Sequence, residues 1–296
     1  MNQTKSSVLN YSFIKDIGIL VKFKLSLMVI LSSALSYIIL AKDQFNGNNF
    51  IFLILGGSFI TFAANAINQC LERDYDKLMV RTALRPVADG RMSIATSVLI
   101  SGIFCTLGVL FLAMINPVAS SLGMLSFVLY AFVYTPLKRF STLAVPVGAI
   151  PGALPTLIAG VAASNGFTLE ALCLFGIQYL WQFPHFWSIA WLGHSDYRKA
   201  GFKLVNDVEG KPDPKYGLYA AIYSGLSFVF LAWFVANGLL NAITIIGISI
   251  CILFYIYYSW NLYKNNNEQA ARKLMFCSIV YLPALLFLLL TNNLLN

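Results

Sequence analysis

The sequence predicts an all-α polytopic membrane protein in which nine transmembrane helices form a bundle around a central cavity. The 296 residues are 58% hydrophobic and 11% charged, with a mean hydropathy of +0.73, whereas soluble domains carry about 25% charged residues. Apolar runs long enough to cross a bilayer recur along the chain, and the two-residue alternation of a membrane barrel is missing from them. We expect a single integral-membrane domain over residues 1–296.

Each apolar run is expected to be a helix, because lipid offers no partner for free backbone polar groups. The first run follows several lysines, as in a signal peptide, but it lacks a clear cleavage site and is predicted to be retained. The nine expected spans are residues 22–41, 50–70, 95–114, 117–135, 144–163, 169–190, 217–236, 239–259 and 274–291.

The basic residues predict the orientation of the bundle. Every Lys and Arg except Lys42 lies in the N-terminal segment or in an even-numbered connection between spans. Basic connections stay in the cytoplasm, so the N-terminus is expected inside and the C-terminus outside. The positions of the basic residues thus attribute the net charge of +8 to membrane orientation and an anionic ligand, and no nucleic-acid partner is expected. The short N-terminus without an Arg-rich presequence favours a bacterial plasma membrane over a mitochondrial inner membrane.

Two long cytoplasmic connections of mixed charge, residues 71–94 and 191–216, are where a function is expected. At the start of the first, Asn68, Glu72 and Asp76 fall on one face of a helix, at 0°, 40° and 80°. Amide and carboxylate oxygens in an incomplete set suit Mg²⁺, which is usually completed by substrate phosphates. On a regular helix, Asp74 points away from these three residues.

Two arginines follow in the same connection. Arg81 and Arg85 could hold phosphate oxygens bidentately. The alternative is that they only satisfy the positive-inside rule while the acids form solvated ion pairs. Ionisable groups at the end of a span are costly and usually functional, which favours the phosphate interpretation.

The second charged connection follows the sixth span. Pro184 is expected to kink the helix beside His185, which could act as a general base, ligate a haem iron or be a hydrogen-bonded structural residue. Asp196 is a candidate second metal anchor, and Lys199 a candidate phosphate ligand. At the end of the fourth span, Tyr134 and Lys138 could neutralise a departing diphosphate.

Small residues mark the fifth span. Gly148, Gly152 and Gly160 are spaced along it, and small residues allow membrane helices to approach closely. The sequence therefore predicts that this span lies against other helices of the bundle.

Four motifs together resemble the UbiA-type intramembrane prenyltransferases. They are N-x3-E-x-D-x-D with M-x-R-T-x2-R-P (Asn68 to Pro86), YTPLKR (Tyr134 to Arg139), WQ-x-PHF and DY-x2-AG (Trp181 to Gly201). The resemblance covers the whole chain in order and span count. The combination of RT-x2-RP, YTPLKR and WQ-x-PHF is similar to the branch that farnesylates haem.

The resemblance implies Mg²⁺-dependent transfer of the farnesyl group of farnesyl diphosphate to a vinyl group of haem b, within membrane lipid. Haem A synthase or terminal oxidase assembly proteins are implied as further partners. Where quinone-prenylating relatives carry DxxxD, this chain has one acid. By matching positions, Asn68, Glu72 and Asp76 would hold Mg²⁺, Arg81, Arg85 and Lys138 would bind the diphosphate, Asp196 would belong to the second metal motif, and His185 matches the family's PHF histidine. Together with Lys199 as a diphosphate ligand and with Tyr134, Lys138 and His185 as the catalytic residues, these are the predicted site residues.

Two other functions were weighed against this one. A UbiA-type enzyme acting on an aromatic quinone precursor shares the acidic motif, but WQ-x-PHF and the lack of DxxxD disfavour it. A transporter of organic anions would explain broken helices and cytoplasmic charges. It predicts charged groups at mid-membrane, whereas this chain keeps nearly all of its charges at span ends.

Overall fold

The computed structural model describes residues 13–295 of the chain, and these residues are almost entirely helical. The predicted cytoplasmic N-terminus lies outside the described residues. The helices are α1 Phe13–Leu20, α2 Phe23–Ala41, α3 Gly47–Leu71, α4 Arg73–Asp76, α5 Ile94–Ala113, α6 Pro117–Val128, α7 Thr135–Leu137, α8 Ala144–Ser164, α9 Leu169–Leu192, α10 His194–Lys199, α11 Lys215–Ala236, α12 Ala242–Asn265 and α13 Glu268–Leu295.

Within residues 13–295, eight helical stretches are long and apolar enough to cross a membrane, so the protein is an integral membrane protein. The sixth predicted span, residues 169–190, corresponds to α9, a helix of 24 residues. Helix α9 is not one of these eight stretches, and its residues include the polar Gln178, Gln182 and His185. The predicted helical membrane bundle is confirmed.

Helix α8 is the buried centre of the bundle and packs against α2, α6 and α9. It continues through Pro151 and Pro155. Because Pro155 has no N–H, the carbonyl of Pro151 lacks its helical donor, and the Ser126 hydroxyl donates to that carbonyl at 3.3 Å. Pro184 likewise lies inside an unbroken α9. The prolines are thus accommodated within continuous helices.

The small residues of α8 lie where neighbouring side chains come close, as predicted. A Cβ atom on Gly148 would sit 2.5 Å from the ring of Tyr134, and one on Gly160 would sit 2.3 Å from the Cβ of Ala171. A Cβ atom on Gly152 would collide with the amide of Gln182, which donates to the carbonyl of Ala149 at 2.9 Å. These glycines therefore set the spacing between α8, α9 and the fourth span.

The fourth span changes helix type near its C-terminal end. After α6 the chain forms a π-helix at Leu129–Tyr134 and then the short helix α7. The Thr135 hydroxyl donates to the carbonyl of Tyr130 at 2.8 Å. Single π-turns of this kind are frequent at functional sites, and this one carries Tyr130 and Tyr134.

The N-terminal segment and the 191–216 connection carry short elements that the sequence did not predict. Helix α1 precedes the first span, and its Asp16 pairs with Arg91 at 3.0 Å. The 191–216 connection contains α10 and a two-stranded hairpin, β1 Asp207–Val208 with β2 Lys211–Pro212. These pieces pack beneath the ends of the spans.

An apolar cavity of about 20 Å³ lies between α2, α3, α6 and α8. Its lining includes Ser33, Gly57, Ser126 and Pro155. Gly57 lies on α3, the helix that also carries Asn68, and Ser126 lies on α6, in the span that leads to Lys138. With a volume of about 20 Å³, the cavity is too small for a chain of several carbon atoms.

Candidate active site

The three oxygen-bearing side chains predicted from the sequence cross the end of α3. Helix α3 ends before Glu72, whose φ of −99° and ψ of 5° interrupt the regular helix that the sequence predicts. The bonds from Glu72 N to Asn68 O at 3.0 Å and from Asp76 N to Glu72 O at 2.7 Å continue the i to i+4 pattern. Asn68, Glu72 and Asp76 are 0%, 4% and 0% exposed. Burying these three polar side chains costs free energy unless each has a hydrogen-bond or ion-pair partner.

A basic side chain meets each of these three residues. The Lys22 ammonium donates to Asn68 Oδ1 at 2.7 Å, and Lys138 forms an ion pair with Glu72. Arg85 Nη1 lies 2.8 Å from both carboxylate oxygens of Asp76. We name Lys22, Asn68, Glu72, Asp76, Arg85 and Lys138 the polar cluster.

The polar cluster is built to receive more negative charge. Burial alone raises the pKa of Glu72, but Lys138 and Lys22 outweigh it and hold that pKa below its ordinary value. Burial, together with Arg85 and Lys138, lowers the pKa of Lys22 well below its ordinary value. Burial raises the pKa of Asp76, although Arg85 opposes the shift. An anion arriving here would stabilise the charged form of Lys22.

Lys138 is held by aromatic rings as well as by Glu72. Its ammonium lies 4.7 Å from the ring centre of Tyr134 and 5.4 Å from that of Phe202. The Tyr134 ring packs directly over Gly148. Of the predicted catalytic residues, Tyr134 and Lys138 are therefore brought together beside Glu72.

The second charged connection, residues 191–216, contacts the first through Tyr197. Two of its predicted site residues, Asp196 and Lys199, pair with each other. Arg81 Nη2 donates to the hydroxyl of Tyr197 at 3.3 Å, which joins α10 to the RT-x2-RP segment. Asp196 and Lys199 lie 3.7 Å apart and pair with each other at the surface, where 64% of the Lys199 side chain is exposed. The structure therefore brings Arg81 close to this connection and keeps Asp196 and Lys199 out of the polar cluster.

His185 lies at the interface of α9 with α13. Its Nδ1 is 2.8 Å from the hydroxyl of Ser278, and its ring stacks on Trp181 at 4.9 Å between centres. The Trp181 indole in turn donates to the carbonyl of Ser278 at 2.7 Å. The hydrogen bond of His185 uses Nδ1 and does not involve Nε2, so the histidine is oriented by α13 rather than by the polar cluster.

Three residues of the site were missed from the sequence. Lys22 was taken only as part of the basic flank of the first span, yet it adopts a left-handed φ of 48° and turns its ammonium onto Asn68. Tyr130 accepts from Lys22 at 3.4 Å, and Thr135 accepts from the Asn68 amide at 3.1 Å. The spacing of Tyr130 to Tyr134 could have indicated a shared face; nothing local marks Lys22.

The donor atoms of the polar cluster fit a hard divalent cation. The cluster contains one amide oxygen and two carboxylates, each in contact with a basic side chain. Hard cations such as Mg²⁺ prefer oxygen ligands of these kinds. Across the described part of the chain, no three His, Cys, Asp or Glu side chains form a metal site on their own. A metal ion here would therefore need the amide of Asn68 and oxygens from substrate or water.

Sequence comparison places the chain among known proteins. Residues 27–280 match the model of the UbiA prenyltransferase family. Protoheme IX farnesyltransferase from Cytophaga hutchinsonii is 38% identical, covering 89% of this chain and 92% of that protein. Protoheme IX farnesyltransferase from Flavobacterium johnsoniae is 34% identical over the full length of both.

Solved structures share the architecture at low identity. Digeranylgeranylglyceryl phosphate synthase superposes with a TM-score of 0.80 at 16% identity, covering 96% of this chain and 99% of that one. A UbiA homologue from Archaeoglobus fulgidus bound to GPP and Mg²⁺ gives 0.66 at 15% identity, covering 93% and 99%. The shared fold and the matching sequence lead to one conclusion: the chain belongs to the UbiA prenyltransferase family, together with these protoheme IX farnesyltransferases.

Proposed function

We propose that the protein transfers the farnesyl group of farnesyl diphosphate to a vinyl group of haem b and so forms haem O and diphosphate. Family membership makes it a prenyltransferase, and relatives at up to 38% identity are named for farnesyl transfer to protohaem IX. The observation that carries the proposal is the polar cluster: a buried set of oxygens and basic nitrogens at the cytoplasmic ends of α2, α3 and the fourth span.

Binding of the diphosphate is the task of the basic side chains. Arg85 and Lys138 now neutralise Asp76 and Glu72. Asn68, Glu72 and Asp76 would hold Mg²⁺ through their oxygens, and Arg85 and Lys138 would then be available to hold phosphate oxygens. Arg81 lies on the same connection as Arg85. The solved homologue with GPP and Mg²⁺ supports this pairing of metal and prenyl diphosphate. Asp196 and Lys199 would contribute only if α10 moved inward.

The residues of the polar cluster favour breakage of the allylic C–O bond. As that bond breaks, negative charge grows on the diphosphate, and fixed cations aimed at it lower the barrier. Bound Mg²⁺ supplies additional neutralisation of the leaving group. The ring of Tyr134 presents an electron-rich face beside Lys138, where it can stabilise the allylic cation.

The acceptor step forms a bond to carbon and consumes one water. The terminal vinyl carbon of haem b attacks C1 of the farnesyl cation, water adds to the adjacent carbon, and its proton is released to a base. His185 is the candidate base, since Ser278 fixes its ring through Nδ1 and Nε2 is the nitrogen that could take a proton. Its alternative role as a ligand to the haem iron uses the same atom.

Both substrates are apolar molecules with anionic head groups, so they reach the site from the membrane with their heads toward the cytoplasm. We propose that the N-terminus is cytoplasmic and the C-terminus outside, in the plasma membrane of a bacterium. Haem A synthase and terminal oxidase assembly proteins are the proposed recipients of the product. Chemically, the next reaction must accept a hydroxyethylfarnesyl haem.

The test is a product assay with two acceptors. Purified protein in lipid vesicles is incubated with farnesyl diphosphate, Mg²⁺ and either haem b or 4-hydroxybenzoate, and the extracts are analysed by mass spectrometry. We expect farnesylated, hydrated haem in the first reaction and unmodified 4-hydroxybenzoate in the second. Prenylated 4-hydroxybenzoate without farnesylated haem would instead assign the protein to the quinone-precursor enzymes.

A further inference from the structure

Helix α10 ends in a hydrogen-bonded cap that turns the chain back toward Lys138. The N–H of Phe202 donates to the carbonyl of Tyr197 at 2.8 Å, and the N–H of Gly201 donates to the carbonyl of Arg198 at 3.0 Å. Gly201 has a left-handed φ of 73°. These are the two bonds and the left-handed residue of a Schellman motif. The DY-x2-AG sequence therefore encodes a helix end with a defined exit direction.

That exit direction places Phe202 over the polar cluster. The Phe202 side chain is 7% exposed, and its ring centre lies 5.7 Å from that of Tyr75 and 6.2 Å from that of Tyr197. The next residue, Lys203, donates its backbone N–H to the carbonyl of Lys138 at 2.6 Å. The ring of Phe202 and the backbone of Lys203 therefore both contact Lys138.

The Lys138 ammonium lies near two aromatic rings, those of Tyr134 and Phe202. An ammonium within about 6 Å of a ring centre is attracted to the face of that ring. The two rings can therefore hold the ammonium while it exchanges the Glu72 carboxylate for a phosphate oxygen.

We propose that Phe202 is a positioning residue that holds Lys138 for the diphosphate and covers the cytoplasmic side of the site against water. The inference rests on the proposed prenyl transfer. Its chemical consequence concerns the competing reaction with water. There the C–O bond to diphosphate breaks, a C–O bond to water forms, and a proton passes to solvent, which gives farnesol and diphosphate.

The experiment compares Phe202→Leu, Phe202→Tyr and the wild type, with Phe276→Leu as the matched control, because Phe276 is 60% exposed on α13. Two quantities are measured: the Kd for farnesyl thiodiphosphate with Mg²⁺, and the ratio of farnesol to farnesylated haem during turnover. We expect F202L to weaken binding about five- to thirtyfold and to raise the ratio. F202Y and F276L should behave like the wild type.

A second pair of variants tests the cap itself. A Cβ on Gly201 would meet no atom within 4 Å, so only the backbone angle opposes substitution. Asparagine tolerates the left-handed region and β-branched residues do not. Gly201→Asn should therefore keep the wild-type ratio of farnesol to farnesylated haem, and Gly201→Val should reproduce the F202L ratio.

Folded F202L protein with wild-type affinity and ratio would overturn the inference, as would failure of F202Y to restore them. If the wild type binds the thiodiphosphate but forms no farnesylated haem, the proposed acceptor is wrong. The difference in Kd between wild type and F202L then decides the role of Phe202 by itself.

Discussion

At the scale of single residues, burial separates two acids that look alike in the sequence. The Asp76 side chain is 0% exposed, and both of its carboxylate oxygens accept hydrogen bonds from Arg85. The Asp74 side chain is 78% exposed and pairs with Lys77 at 3.0 Å. This is the arrangement that the helical geometry of residues 68–76 predicts. The roles of both acids remain predictions.

Asp76→Asn should lower the rate of farnesyl transfer about a hundredfold or more, because even residues behind a metal ligand commonly account for ten- to a hundredfold. Asp74→Asn should change the rate by less than about threefold, since exposed ion pairs contribute little. The measurement is the initial rate of haem farnesylation per folded protein in vesicles. Equal losses in the two variants would contradict the assignment of Asp76 to the site.

Lys22 shows what a single sequence does not reveal at this scale. It stands among other lysines before the first span, and only the folded chain brings it to Asn68, 46 positions away. Its partners Tyr130 and Asn68 come from two other spans. Membrane orientation alone accounts for a lysine at this position in the sequence, so its second role is hidden.

Lys22→Met should raise the Kd for farnesyl thiodiphosphate about ten- to a hundredfold, the range expected for losing one hydrogen bond from a charged group. Lys24→Met is the matched control, because Lys24 is exposed two positions away and should bind like the wild type. Titration of each variant with the analogue in the presence of Mg²⁺ measures both values. Identical affinities for K22M and K24M would exclude Lys22 from the diphosphate site.

At the scale of helices, α11 and α12 cross so closely that one position admits only glycine. A Cβ on Gly217 would lie 2.2 Å from the backbone nitrogen of Tyr263, and backbone atoms cannot yield as a flexible side chain can. A Cβ on Gly225 would meet Ile256 at an ordinary 3.8 Å. Close approach of this kind is what holds membrane helices together in the absence of water.

Gly217→Ala should destabilise the protein by about 1–3 kcal/mol, as overpacking does in a dense interior. Gly225→Ala, on the same helix pair, should leave stability unchanged. The temperature at which half of the detergent-solubilised protein aggregates, read for both variants, checks the difference. If G217A and G225A aggregated at the same temperature, the close crossing of the two helices would be refuted.

The sequence predicted the long helices well because their signal is local. Lipid requires apolar residues in uninterrupted runs, and each predicted span falls on a helix of the structure. The π-helix at Leu129–Tyr134 could not be predicted, since it depends on Thr135 bonding Tyr130 and Asn68. Helix α1 is likewise a short element, and its Asp16 pairs with Arg91, which is distant in sequence.

For the molecule as a whole, the orientation in the membrane is a prediction from charge alone. Lys42 lies on the opposite side from all other basic residues if α2 crosses the membrane once. Positive-inside asymmetry then requires a cytoplasmic N-terminus and an external C-terminus. With this orientation, the two long connections both lie in the cytoplasm. In the folded chain they are in contact, because Arg81 donates to the hydroxyl of Tyr197.

Alkaline phosphatase fused after residue 296 should be active in a bacterial host, because that enzyme needs the oxidising exterior to form its disulfides. The same fusion placed after residue 266, at the end of α12, should be inactive. Green fluorescence from a fusion to the N-terminus should report a cytoplasmic position. Active phosphatase at 266 and inactive phosphatase at 296 would reverse the orientation.

The sequence predicted only through motifs that side chains from several spans meet at one site. Asn68, Glu72 and Asp76 were predicted to share a helix face, and in the structure their backbones keep the i to i+4 hydrogen bonds and all three are buried. Their pairing with Lys138 and Arg85 depends on how four spans pack, which local patterns do not encode. Asp196 and Lys199, which were also predicted to belong to the site, pair with each other at 3.7 Å, and their roles stay predictions.

The central claim is that Asn68, Glu72 and Asp76 bind a divalent cation that carries a prenyl diphosphate. An anomalous-difference map from crystals grown with Mn²⁺ and farnesyl thiodiphosphate tests it most directly. The account predicts a peak within bonding distance of these three side chains, with Lys138 and Arg85 turned onto the phosphate. A peak elsewhere, or none beside a bound diphosphate, with Lys138 still on Glu72 and Arg85 still on Asp76, would contradict it.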